Sequence, residues 1–211
     1  MRTTVGRTIA ALVCISITCL FVSRVAAQDD KKAGGQPSAD QMKQMQDMMK
    51  AIQPGPEHEK LKEMVGTWDA DVKFFPPEAP GTVQESKGTA KMEMILGGRY
   101  LQQTFDGSMA MGGQNMPFHG MGITGYDNAE KKLISIWIDD MGTGILVTKG
   151  TCDDHVMTLE GDMMDPMSKQ MMKVKEVGTM VDKDHQKFEM FMSGPKGDMP
   201  KVMEIMYTRK S

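Results

Sequence analysis

The stretch Leu61-Lys-Glu-Met-Val-Gly-Thr-Trp-Asp-Ala-Asp-Val-Lys-Phe74 changes periodicity in its middle. Before Gly66, the apolar residues Leu61, Met64 and Val65 recur at helical spacing. From Trp68, the series Trp68, Ala70, Val72, Phe74 alternates with Asp69, Asp71 and Lys73, the period-two pattern of a strand with one buried face. Gly66 suits the switch, because glycine takes the left-handed conformation that ends a helix without steric cost.

Upstream, the spacing predicts a short helix over Glu57 to Val65. Glu57 and Glu59 fall in its first turn, where the helix dipole favours acids. A helix so short is unstable alone and must lean on the sheet. Pro54-Gly55-Pro56 separates it from a second helical stripe, Met42, Met45, Met49 and Ile52, opened by Ser38 and Gln41 as a capping box. The stripe suits docking on the domain or pairing with another copy. Gln28 to Pro37 is polar and reads as a tether.

The first 27 residues have the pattern of a secretory signal peptide: basic Arg2 and Arg7, an uncharged apolar run from Thr8 to Val22, then Val25-Ala26-Ala27 for cleavage after Ala27. The alternative is a membrane anchor, but the run is shorter than the ~20 residues that span a bilayer. The expectation is an exported protein, periplasmic or extracellular, with no membrane span after cleavage. The organisation is then signal (1–27), tether with a Met-rich amphipathic helix (28–56) and one domain (57–211).

Loss of Arg2, Arg7 and Arg24 leaves 22 basic against 28 acidic residues. A mildly acidic chain without a basic cluster argues against nucleic acid as a partner. Cys14 and Cys19 leave with the signal, so Cys152 stands alone and the domain has no internal disulfide to rely on.

Downstream of Trp68, strand patterns and turn chemistry alternate about every ten residues. Ala90, Met92 and Met94 mark a strand. Gly97-Gly98 turns it into Arg99 to Phe105. Met109 to Met116 reads as a flexible loop, and Pro117 to Tyr126 as a glycine-spaced strand. Leu133 to Ile138 is apolar on both faces, which predicts the most buried strand. Five more follow, to Thr208. About ten strands with no helical crossover predict an all-β, antiparallel up-and-down sheet. Closure into a barrel removes its edges, and a two-sheet sandwich is disfavoured because no long Greek-key return is present.

A helix, then Gly-x-Trp, then a strand meander resembles the start of calycin-like barrels such as lipocalins. A longer set is more specific: Glu57-His58-x-x-Leu61, Gly66-Thr67-Trp68, Leu96-Gly-Gly-Arg-Tyr100, Gly122-x-x-Gly125-Tyr126-Asp127, Trp137-Ile-Asp139, and Met203-Glu204 with Tyr207-Thr-Arg209. Together these resemble bacterial domain-of-unknown-function family 1579, over about Pro56 to Lys210. The resemblance implies a stand-alone bacterial domain, often exported, with a calycin-like fold. It supplies no catalytic residues.

The chain has 25 Met against 8 Leu. Thioethers select Cu(I), and Met109, Met111, Met116, His119 and Met121 form one local group, with Met163, Met164, Met167, Met171 and Met172 a second. Met92, Met94, Met190, Met192, Met203 and Met206, however, sit within strand patterns, as general core-fillers would. His119 shares a strand face with Met121 and Ile123, so an inward orientation would make it a ligand or haem contact. Asp139-Asp140 and Arg99 suggest an ion pair. No nucleophile elbow, phosphate loop or zinc-binding motif occurs, and nothing calls for a cofactor. The reading is a non-catalytic barrel binding a small, mostly apolar ligand, with Trp68, Arg99, His119, Tyr126 and Trp137 as candidate lining residues. The rival is an envelope scaffold with a Met-filled core and the Met42–Ile52 stripe as a partner helix.

Overall fold

The computed structural model describes residues 37–210 apart from 112, 113, 167, 195 and 196. The expected signal segment, most of the expected tether and Met167 lie outside the described residues. Two helices come first, α1 (Ala39–Ala51) and α2 (Pro56–Lys62). Ten strands follow: β1 (Gly66–Phe74), β2 (Gln84–Ile95), β3 (Tyr100–Met111), β4 (Gln114–Asp127), β5 (Lys132–Asp139), β6 (Leu146–Asp153), β7 (Val156–Met164), β8 (Met171–Asp182), β9 (His185–Met192) and β10 (Lys201–Arg209). Every neighbouring pair is antiparallel, and β1 pairs with β10 to close the barrel. The up-and-down all-β barrel expected from the meander is therefore the fold.

Register fixes which residues face inward. Trp68 stands opposite Ala90 and Arg209, Ala90 opposite Phe105, and Phe105 opposite Gly120. Carried round the sheet, the inward set includes Trp68, Met92, Leu101, Leu133, Leu159, Ile205 and Tyr207, all buried. These gather toward one end of the barrel, where α2 packs on β2, β3 and β4. Pro56 opens α2 without an N–H to leave unsatisfied, and Gly55 N–H donates to the His58 ring Nδ1 at 3.0 Å. His58 is itself buried and meets Tyr126 edge to face, centroids 5.9 Å apart.

Three expectations need correction. The Met109–Met116 segment is not a loop. β3 and β4 continue to Met111 and from Gln114, with Met109 opposite Met116, so paired backbone replaces the expected flexibility. Leu133 to Ile138 is not the most buried strand either. Leu133 is buried, but Ile136 and Ile138 point outward and are more than a third exposed. A barrel wall has only one covered face, so apolar residues on both sides do not imply burial on both. Last, the helix over Glu57 to Val65 is shorter, ending at Lys62 before a turn.

α1 starts one residue after Ser38 and has no buried residue, and Met42, Met45, Met49 and Ile52 are about half exposed. Its C-terminal carbonyls are held from the barrel. Asn128 Nδ2 donates to Ala51 O and Gln53 O at 2.8 and 2.9 Å, and Arg99 Nη2 donates to Ile52 O at 3.4 Å.

Candidate functional site

One end of the barrel is a floor built from both ends of the domain. Trp68 is fully buried, and its indole N–H donates to Met64 O at 2.9 Å. The Arg209 guanidinium lies 4.0 Å from the centre of the indole, a cation–π contact. Arg209 also donates to Val65 O (2.5 Å), Glu63 O (2.9 Å) and Lys183 O (2.8 Å). A cation thus satisfies backbone carbonyls just past the end of α2. Gly66, at φ +148°, leaves the room this needs: a Cβ there would sit 2.4 Å from Arg209 Nη1.

Above the floor is a cavity of about 1030 Å³. It extends from α2 and the β6–β7 turn to the far rim, where the β5–β6 connection (140–145) and the β7–β8 turn surround it. Ten strands explain the space, because eight already give an interior wide enough for one small ligand. The volume lies at the upper edge of ligand pockets, ~300–1,000 Å³. The lumen therefore keeps open space and is not a filled core.

Its wall is mostly apolar. Twelve methionines line it, with Leu101, Leu133, Leu159, Phe105, Phe118, Phe188 and Trp137. Thioether chains adapt to irregular shapes, so the methionine content suits an adjustable pocket. Among the described residues, both methionine groups are divided between the two faces of the barrel wall. Met109 lines the lumen while Met121 points outward, and the side chain of Met111 is outside the described residues. In the second group, Met163 pairs with Met172 and Met164 with Met171; strand alternation puts the two pairs on opposite faces. Among the described residues, no three His, Cys, Asp or Glu side chains are grouped to hold a metal.

A few polar groups are set in this wall. Glu176, on β8, is 9% exposed and accepts a hydrogen bond from Thr148 Oγ1 at 2.8 Å. Burial pushes its carboxyl above the usual range, partly offset by the threonine. Gln186 is 4% exposed, and its Nε2 has no hydrogen-bond partner among the described residues. Gln103 Nε2 donates to the Tyr207 hydroxyl at 3.3 Å, and burial pushes that phenol up to about 12. Nearer the far rim, Trp137 Nε1 donates to Asp139 Oδ2 at 3.0 Å. The indole lies over Gly120 and Gly122, where a Cβ on Gly120 would come within 2.2 Å of the ring.

The five candidates from the sequence separate. Trp137 lines the cavity. Trp68 and Tyr126 face inward but form the floor, Trp68 as its plug and Tyr126 against His58. Arg99 lies outside the lumen at the β2–β3 turn, bound to Leu96 O and Ile52 O. His119 is also outside: its strand face is the outer one, and its Nδ1 meets Asp140 Oδ2 at 2.7 Å, with Asp106 at 3.9 Å. That hydrogen bond raises the His119 pKa, and the His119 backbone N–H, at 3.1 Å from Asp140 Oδ1, together with the ring lowers that of Asp140. The Arg99 to Asp139-Asp140 ion pair does not form, because each group is held by other partners. Cys152 is half-buried and its thiol is pushed up by burial, which disfavours the nucleophilic thiolate.

Glu176, Gln186, Gln103 and Tyr207 are absent from the sequence expectation. For Glu176 a signal was present. Met172, Val174, Gly178 and Met180 share its strand face, so one acid interrupts an apolar alternation.

Comparison with known proteins gives fold and family. Among curated proteins, none matches the chain in sequence. Of solved structures, Rv2717c from M. tuberculosis is similar at 14% identity and a TM-score of 0.53, covering 75% of this chain and 100% of its own. The S-type phycobiliprotein lyase CPES from Guillardia theta is similar at 9% identity and a TM-score of 0.49, covering 78% and 97%. A family model described as "Protein of unknown function (DUF1579)" matches residues 53–209. Since that match takes in the helix α2 and the whole barrel, the chain belongs to the DUF1579 family.

Proposed function

We propose that this protein is an exported, non-catalytic carrier that holds one small, mostly apolar molecule in its lumen. The observation that carries the reading is the cavity of about 1030 Å³, walled by methionine and aromatic side chains with a few buried polar groups. An apolar wall supplies affinity and scattered polar groups fix orientation, which is how small-molecule sites are usually composed. Export rests on the N-terminal pattern of Arg2, Arg7, Thr8–Val22 and Val25-Ala26-Ala27. Native mass spectrometry of the protein purified from cells that naturally make it tests the reading. A discrete co-purifying mass, one per chain, is expected. A bare chain under gentle desolvation would contradict it.

A second reading, an envelope scaffold, draws on the half-exposed Met42, Met45 and Met49 of α1 and Ile52 just past its end. An apolar helix stripe of this kind suits a second copy. Sedimentation of the chain and of Met45→Glu separates the two. A dimer that the substitution dissolves supports the scaffold, and a monomer in both leaves the helix without that role.

A further inference from the structure

We propose that the lumen selects apolar molecules carrying a protonated amine, with the Glu176 carboxylate as their counter-charge. This rests on the carrier reading and names its ligand class.

Charge placement in the lumen is one-sided. Between the Trp68 floor and the far rim, the inward strand positions carry two carboxyls, Glu176 and Asp139, and no Lys, Arg or His. Arg209 lies on the outer side of the Trp68 plug, engaged with backbone carbonyls. The basic side chains that reach the cavity edge among the described residues each have a carboxylate beside them, Lys60 with Glu57 at 3.0 Å, Lys187 with Glu189 at 2.9 Å and His155 with Asp154 at 3.6 Å. Asp139 is satisfied by the Trp137 indole N–H and by Met141 N–H at 3.0 Å each. Glu176 differs. It borders the cavity, is nine-tenths buried, and has the Thr148 hydroxyl as its donor and no cation within ion-pair distance among the described residues.

A carboxylate held in an apolar wall without a counter-ion is costly when charged. Its raised pKa reports the same cost. A ligand ammonium entering the lumen supplies the missing charge and up to three donors. The surrounding aromatic rings and thioethers accept a cation without competing for its hydrogen bonds. An apolar anion, by contrast, finds no cation without a carboxylate beside it among the described lumen residues and meets the buried Glu176 carboxyl, so fatty-acid-like ligands are disfavoured. Gln186 Nε2, also buried and unpartnered among the described residues, adds a donor for a neutral oxygen elsewhere on the ligand.

Displacement of the neutral apolar dye Nile red by decylammonium, decanol and decanoate at pH 7.5 is the test. Decylammonium is expected to displace the dye at concentrations at least about tenfold lower than decanoate, the scale of one charge-assisted hydrogen bond. Glu176→Gln should bring the two within about twofold while Nile red binding is retained. Thr148→Val, which keeps the carboxyl, should preserve the preference. Should Glu176→Gln not fold, a pH series on the unaltered chain reads the same group: decylammonium weakens as Glu176 protonates, and decanol does not. Decanol or decanoate displacing as well as decylammonium overturns the amine assignment and leaves the carrier reading standing. No saturable Nile red binding overturns both.

Discussion

The two ends of this barrel are built on opposite principles. At the floor, Trp68, Arg209, Gly66 and α2 interlock, and each side chain has its partners. In the lumen above, methionines and rings surround space, and Glu176 and Gln186 are incompletely satisfied. The floor joins the first strand to the last, so its residues hold the barrel closed. The lumen contributes less to closure and leaves polar groups exposed to an occupant. Under the carrier proposal, stability and ligand recognition fall to different parts of one fold. Substitutions at the floor should destabilise the protein, whereas those in the lumen should change what it binds.

The largest effect expected is at Trp68. Trp68→Ala removes a fully buried indole and should cost about 3–5 kcal/mol, measured by denaturant unfolding. Next comes Arg209→Ala, which leaves the Glu63 and Val65 carbonyls without this donor and strips the cation from the indole; about 2–3 kcal/mol is expected. Arg209→Lys should not restore it, because an ammonium lacks the planar fork that reaches several carbonyls at once. If either variant is as stable as the parent, the floor is not what holds the barrel shut.

Glu176→Gln sharpens the contrast from the lumen side, with opposite sign. The folded-state pKa of Glu176 is raised, so in the unliganded protein its contribution to stability is greatest below the ordinary glutamate value of about 4.3 and is lost as pH rises through the folded value. The variant should therefore gain thermal stability relative to the parent at pH 8 and show little difference at pH 4. An equal shift at both would mean that charge at Glu176 is not the cause. Tyr207 gives a related check at alkaline pH. Its phenol, pushed up to about 12, contributes stability that is present below pH 10 and is lost between pH 10 and about 12, a loss that Tyr207→Phe should remove. The smallest effect belongs to His119, on the outer wall. His119→Ala should change stability by no more than about 0.5 kcal/mol and leave lumen binding untouched.

The floor was legible in the sequence, and most of the lumen was not. Trp68, Ala70, Val72 and Phe74 announce their shared face by alternation, and Gly66 announces the break before them, because both are local patterns. Closure follows from the count of strands and the need to remove edges. The inward or outward choice at β4 is different. His119 and Phe118 are equally placed by alternation alone, and only pairing with β3 decides that Phe118 faces in and His119 out. Gly120 and Gly122 give no hint in sequence that the Trp137 ring lies over them. Methionine content was legible but its meaning was not, since the same residues can bind Cu(I), fill a core or line a pocket.

If the lumen is an accessible pocket, as the division between floor and lumen requires, then blocking it must abolish binding. Gly178 faces inward on β8, and a Cβ there would come closest to the flexible end of Met157, at 3.2 Å. Gly178→Phe should therefore place a ring in the cavity while the barrel still folds. Titrating Nile red into the parent should give saturable one-to-one binding, and a folded Gly178→Phe should lose about tenfold or more in affinity. Equal dye binding by the parent and a folded Gly178→Phe would contradict an open lumen, because the dye would then be held somewhere else on the molecule.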